Sequence, residues 1–320
     1  MKGTNRPAKN PVGQFSRRKG GGNLTERSKG MWIFWTSLCV TMVILGGLLL
    51  GFLLLVKAAE PADTPQDDVP YFTEENKPGR RENLTAVVFG CREAESLPEL
   101  VEVLYYDAPN SELTFFLLPP ETVCTLDGRT DTIQGHYDYE GMSGGMKAVG
   151  ALLGADIDRY LRIQKKGVGN MVDYFGGMNY EVSENITIDG QRILAGEQLL
   201  DGRRFSAFFF QTDEYGAVDP VLQAEFTGKL LRSGLDRDLA KDYPGLASAV
   251  FYNCETNLNQ YDFAIRQQGF TGSIGMGKLQ VKTVVLDGAY NEDHSRFAPS
   301  EQSLQSLSAL LQGRGAAESE

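Results

Sequence analysis

Arginines and carboxylates are the residues of this sequence best suited to chemistry, and their positions narrow what that chemistry could be. Arg92 follows a short apolar run, residues 84–90, that ends in glycine. Such a run predicts a buried strand, and α/β sheets bind ligands at the carboxyl ends of their strands. The planar guanidinium there can make paired hydrogen bonds to phosphate or carboxylate oxygens. Arg129, Arg203 and Arg204 are further basic candidates, although Arg203 and Arg204 follow Gly202 and read more simply as solvated charges. His136 and His294 have no cysteine or carboxylate at ligand spacing, which argues against zinc. Cys39 lies in an apolar stretch. Cys91, Cys124 and Cys254 are too few and scattered for a disulfide framework. Cys91 and Cys124 each end a predicted strand, and either pair or act as small buried apolar groups. Asp173, in Val172-Asp-Tyr-Phe-Gly-Gly177, reads as a residue that fixes a turn.

These groups need elements to hold them. Residues 100–107 and 112–118 are β-rich and are separated by Ala108-Pro-Asn-Ser111, which predicts a hairpin. Residues 143–153 read as a helix stopped by Gly154, residues 159–163 as a strand, and residues 168–175 as a helix ending at Gly176-Gly177. Residues 178–182 and 186–188 flank a turn, and residues 205–210 form a strongly apolar predicted strand. Residues 218–231 and 235–250 read as two helices, and residues 279–286 as a late strand. Strands alternating with helices predict an α/β three-layer sandwich, a mixed central sheet with helices on both faces.

Charge is divided along the chain. The net charge is −11, yet the first thirty residues hold eight basic side chains and one acid. Residues 31–56 contain no charge at all, and about 20 apolar residues cross a bilayer as a helix. Trp32 and Trp35 mark one end, and the basic residues before them place that end inside the cell. A secretory h-region is far shorter. The expected organisation is a cytoplasmic tail (1–30), a transmembrane helix (31–56), an extended proline-containing linker (57–82), an extracellular domain (83–312) and a frayed end (313–320). An acidic domain argues against nucleic acid as a partner.

Three stretches carry a resemblance. They are Gly150-Ala-Leu-Leu-Gly-Ala-Asp-Ile-Asp-Arg-Tyr-Leu-Arg-Ile163, then Gly167-Val-Gly-Asn-Met-Val-Asp-Tyr-Phe-Gly-Gly177, then Leu194-Ala-Gly-Glu-Gln-Leu-Leu-Asp-Gly202. In combination they resemble the LytR–CpsA–Psr family of bacterial cell-envelope proteins over roughly residues 83–232. The resemblance implies transfer of an anionic glycopolymer from an undecaprenyl diphosphate carrier to peptidoglycan. It also implies a diphosphate held by clustered arginines and an Asp-bound Mg²⁺, and a lipid in an apolar cleft beneath the sheet.

The motifs that would grip the diphosphate are altered. The family's Gly-x-Asp-x-Arg reads Gly90-Cys-Arg-Glu-Ala94 here, and its Arg-Ser-Asp-Thr reads Pro98-Glu-Leu-Val101. Ile-Pro-Arg-Asp-Thr becomes Leu118-Pro-Pro-Glu-Thr122, so only an acid, Glu121, survives. The later Arg-x-Arg becomes Phe210-Gln-Thr212, and Arg-x-x-Arg-Gln becomes Asp219-Pro-Val-Leu-Gln223. Losing one transition-state arginine can cost about 10³–10⁵ in rate. The remaining candidates are Arg92 and Glu121 for catalysis, Arg92, Glu121, Phe210 and Gln223 for ligand binding, and Glu121 with Glu93 for Mg²⁺. Phe208 and Phe209 read as core, and Phe210 makes an apolar site where the family's is cationic.

The expectation is a membrane-anchored protein of wall-glycopolymer attachment or biogenesis, non-catalytic or altered because the phosphate-binding arginines are missing. Its partners would be the bilayer, a polyprenyl-phosphate-linked glycan or peptidoglycan, or a catalytic homologue. The alternatives are an active phosphotransferase with a rearranged site, and an envelope sensor or regulator.

Overall fold

The computed structural model describes residues 77–312, apart from Asp158, Glu214, Tyr215 and the side chain of Gln312. The basic tail, the apolar segment 31–56, most of the linker and residues 313–320 lie outside the described residues. Among the described residues no helix is long and apolar enough to cross a membrane.

A six-stranded sheet organises the chain. Its strands are β1 (Leu84–Cys91), β2 (Pro98–Asp107), β3 (Glu112–Leu118), β4 (Arg159–Gln164), β5 (Cys254–Thr256) and β6 (Gln280–Val285), in the order β5-β4-β1-β2-β3-β6. β1 runs antiparallel to β2 and parallel to β4, and β3 runs antiparallel to β2 and parallel to β6. The sheet is therefore mixed, and the hairpin read from residues 108–111 is present.

Alternation along the strands feeds two apolar layers. Val87, Phe89, Val101, Val103 and Phe116 face the helix α1 (Ile133–Leu153), which supplies Ala148, Val149 and Leu153. On the other face, Leu100, Phe115, Leu117 and Ile163 meet α2 (Lys165–Tyr174), α3 (Gly202–Phe209) and α4 (Pro220–Gly234). Helices on both faces make the expected three-layer sandwich. α1 starts ten residues earlier than the sequence suggests, because Gly141 (φ 67°) interrupts it and hides the first half. Thr132 caps that half by accepting the Gly135 N–H at 2.9 Å.

Two expectations need correction. Residues 205–210 are not a strand. Asp201 accepts the Arg204 N–H at 2.9 Å and starts α3, and Phe205 and Phe209, one helical turn apart, stack at 5.4 Å. A short apolar run fits either period, and the cap decides for the helix. Arg203 and Arg204 therefore sit in a first helical turn rather than before a strand. The single helix expected over 235–250 is two, Arg237–Lys241 and Tyr243–Asn253. Pro244 falls at the start of the second, where its missing N–H is tolerated. Met178–Val182 and Ile186–Ile188 are strands on either side of a bend, as expected, and each pairs elsewhere. The first pairs with Gly196–Leu200 and the second with Gln191–Ile193.

The resembling motifs meet in space. α2 and α3 touch through Gly169 and Gly202, and Asp173 Oδ1 accepts the Gly202 N–H at 2.7 Å. Asp173 thus holds the start of the neighbouring helix while Gly176 and Gly177, both at positive φ, turn the chain away.

Candidate functional site

The carboxyl ends of the parallel strands β1 and β4 carry three cations, Arg92, Arg162 and Lys165. Arg92 reaches back to β2. Its Nε and Nη2 donate to the two Glu99 oxygens at 3.0 and 2.7 Å, and Nη2 also donates to the Phe210 carbonyl at 2.7 Å. The Glu99 bond is the chief reason that the Arg92 pKa is raised. Arg162, which the sequence reading passed over, donates to the carbonyls of Glu93 and Ala94 and lies 3.6 Å from Glu255. Lys165, also passed over, pairs with Asp189 and lies 6.0 Å from the centre of the Phe210 ring. Each of the three cations is paired to an acid within the protein. Both missed residues sit in or just beyond β4, and only the pairing of β4 with β1 brings them to Arg92.

Phe210 is buried and in edge contact with Phe209. Its side chain serves the core while its carbonyl, just beyond α3, fixes Arg92. Gln223 is also buried and donates to the Phe209 carbonyl at 3.3 Å. Arg92, Phe210 and Gln223 are thus joined through the α3 C-terminus. Arg129 pairs with Asp131 at 2.6 Å and stacks on Tyr139. Cys91, Cys124 and Cys254 are free. Burial pushes the Cys91 thiol upward, against the Arg162 and Tyr137 groups beside it. His136 is buried, with a ring nitrogen 3.4 Å from the Cys124 carbonyl.

Glu121 belongs to a second set. Tyr290 donates to its Oε2 at 3.4 Å. Burial raises the Glu121 pKa and the Asp213 charge adds to the rise. The Tyr290 phenol is raised too, by burial and then by Glu121, Asp213 and Asp219. Beside them opens a pocket of about 430 Å³ lined by Gln211, Thr212, Asp213, Asp219, Tyr290 and His294. The segments in which the resemblance expects arginines therefore border an acidic pocket. Glu93 is exposed in the turn after β1. Among the described residues no group of three or more His, Cys, Asp or Glu is arranged to hold a metal ion. Glu121, disfavoured as an anion and engaged by Tyr290, does not fit the Mg²⁺ ligand role.

On the helix-α2 side of the sheet lies an apolar cleft of about 230 Å³, bordered by Leu104, Leu113, Phe115, Met171, Leu231 and Phe263.

Comparison with known proteins then places the chain. The profile of the LytR_cpsA_psr family matches residues 101–313. The chain belongs to the LytR–CpsA–Psr family. Among curated LytR–CpsA–Psr relatives, it is 20% identical to the polyisoprenyl-teichoic acid–peptidoglycan teichoic acid transferase TagU of Bacillus mycoides, over 71% of this chain and 79% of that one. Its fold is similar to the crystal structure of B. subtilis TagV, with a TM-score of 0.60 at 18% identity, covering 73% of this chain and 98% of that one. It is similar as well to a putative transcription regulator from Eubacterium siraeum, with a TM-score of 0.64 at 17% identity, covering 78% and 98% of the two chains. These likenesses show the fold, an α/β sandwich around a mixed sheet.

Proposed function

We propose that this LytR–CpsA–Psr protein works in wall-glycopolymer attachment at the cell envelope by binding rather than by transferring. Residues 31–56 anchor it in the plasma membrane, with residues 1–30 cytoplasmic, residues 57–82 as the linker and the domain outside. Its partners are the bilayer, a polyprenyl-phosphate-linked glycan or peptidoglycan, and a catalytic homologue that supplies the chemistry. The name of the TagU relative supports teichoic acid as the polymer and peptidoglycan as the acceptor.

The observation that carries this reading is the acidic pocket formed by Gln211, Thr212, Asp213 and Asp219 where the resemblance puts arginines. A diphosphate meets carboxylates there, and like charges in one site repel. Phosphoryl transfer has little else to rely on than positioning and charge neutralisation. The test is to reconstitute the full chain in vesicles with a polyprenyl-diphosphate-linked glycopolymer, peptidoglycan and Mg²⁺. The expected result is co-sedimentation with peptidoglycan and no transfer. Transfer that disappears in Glu121→Ala overturns the reading.

Arg92, Arg162 and Lys165 at neighbouring strand ends favour a second reading, an active transferase with a rearranged grip. It requires the substrate to displace Glu99 and Asp189 from their cations. Turnover abolished by Lys165→Ala is its signature.

A further inference from the structure

The three cations at the strand ends differ in where their acids come from. Arg92 pairs with Glu99 on β2 and Arg162 with Glu255 on β5, both within the central sheet. Lys165 pairs with Asp189, which lies at the tip of the hairpin made by Ile186–Ile188 and Gln191–Ile193. Ile188 is opposite Gln191, so the loop is the two residues Asp189 and Gly190, at φ 49° and 71°. Two positive φ angles in a two-residue loop mark a type I′ turn, for which Asp-Gly is a favoured pair. The local sequence thus builds a tight tip with a carboxylate on it.

That carboxylate acts on two cations. It touches the Lys165 ammonium. Arg92 feels it as well, since the raised Arg92 pKa comes first from Glu99 and next, among the surrounding charges, from Asp189. The Lys165 side chain is 20% exposed and that of Asp189 48%, so the acid lies outermost and covers the ammonium. Ile186, Ile188 and Ile193 pack the hairpin onto the core, while Thr187, Asp189, Gly190 and Arg192 are exposed. Among the described residues its two three-residue strands pair only with each other. Two-stranded hairpins are marginal on their own, and an exposed ion pair adds little. The cover over Lys165 is therefore weakly held.

We propose that the 186–193 hairpin is an autoinhibitory latch, in which Asp189 occupies Lys165 beside Arg92 as an internal anion and a phosphate-bearing polyanion binds by displacing the tip. This rests on the reading that the protein binds a phosphate-linked wall glycan, and it adds what holds that binding in check. A polyanion opposes several charges to the single charge of Asp189, and its charge-assisted bonds to Lys165 and Arg92 are of the strong kind. The apparent affinity then scales with the fraction of molecules whose tip is lifted. Asp189 also keeps Lys165 from standing uncompensated when no polymer is present.

The test titrates the full chain in phosphatidylcholine vesicles with inorganic pyrophosphate by calorimetry. Asp189→Asn should bind it about fivefold more tightly than the parent. Glu184→Gln removes the same charge from an exposed position just before the hairpin and should leave the affinity unchanged. Adding Lys165→Ala to Asp189→Asn should abolish the gain. In the parent, saturating pyrophosphate should speed hydrogen exchange at the amides of residues 186–193. No binding by Asp189→Asn, an affinity equal to the parent's, a like gain in Glu184→Gln, a gain that survives Lys165→Ala, or unchanged exchange in the hairpin overturns the latch. Co-sedimentation of the parent with peptidoglycan is scored separately, so failure of the latch and failure of the binding function are told apart.

Discussion

The backbones of Gly169 and Gly202 pass so closely that a Cβ on Gly202 would lie 1.9 Å from the Gly169 carbonyl oxygen. The two glycines come from different resembling motifs and let α2 and α3 dock. Gly202→Ala should therefore push these helices apart. Overpacking a core costs about 1–3 kcal/mol, and the clash with backbone places this case at the upper end or beyond. Denaturant unfolding should show a lower midpoint at an unchanged slope.

Glu99 keeps the Arg92 fork occupied. Glu99→Gln removes the charge of that partner and should release the guanidinium toward solvent anions. A hydrogen bond to a charged group is worth about 1.5–3 kcal/mol. Inorganic pyrophosphate should then bind about tenfold more tightly than to the parent. Isothermal titration of both proteins tests this, and equal affinities would mean that Arg92 is held by the Phe210 carbonyl instead.

Glu102 is a carboxyl buried on β2, accepting a hydrogen bond from Thr227 at 3.0 Å. Burial pushes its pKa up from 4.5 to about 7. The folded state therefore holds this proton more tightly than the unfolded chain does. Its contribution to stability is complete below about pH 4.5 and is lost as the pH rises toward 7, beyond which it is flat. The loss amounts to about 3 kcal/mol. Glu102→Gln should abolish this slope, so that thermal midpoints at pH 5 and pH 8 converge relative to the parent.

Asp262 works in the opposite direction. Burial raises its pKa, but hydrogen bonds from Arg159 and the Asn259 N–H, and the charges of Arg159 and Arg266, leave it lowered overall. Its contribution is present above the ordinary carboxylate value and lost as the pH falls through the depressed one. Asp262→Ala leaves two guanidiniums sharing no carboxylate, and breaking a buried pair in this way costs about 3–5 kcal/mol. The variant should unfold at markedly lower urea concentration at pH 7, with the difference shrinking in acid.

Much of the architecture was legible in the linear chain. Strand alternation in residues 100–118, the glycine stop at Gly154 and the turn at Gly176-Gly177 follow from local sterics and a two-residue or 3.6-residue period, which a sequence displays directly. The swap of arginines for Phe210, Thr212, Asp219 and Leu222 could likewise be read without coordinates. What the sequence could not settle was which charges meet. Arg92 to Glu99 spans a turn and a strand pairing, and Lys165 reaches Arg92's neighbourhood only because β4 lies parallel to β1. Phe205–Phe209 shows the same limit locally, since a five-residue apolar run suits a strand or a helix until Asp201 caps it. Tyr106 and Arg266, which border the same cleft, are 160 positions apart in sequence. Only the packing of helices against the sheet makes them neighbours of one cavity, because burial of apolar side chains brings together segments that are distant along the chain.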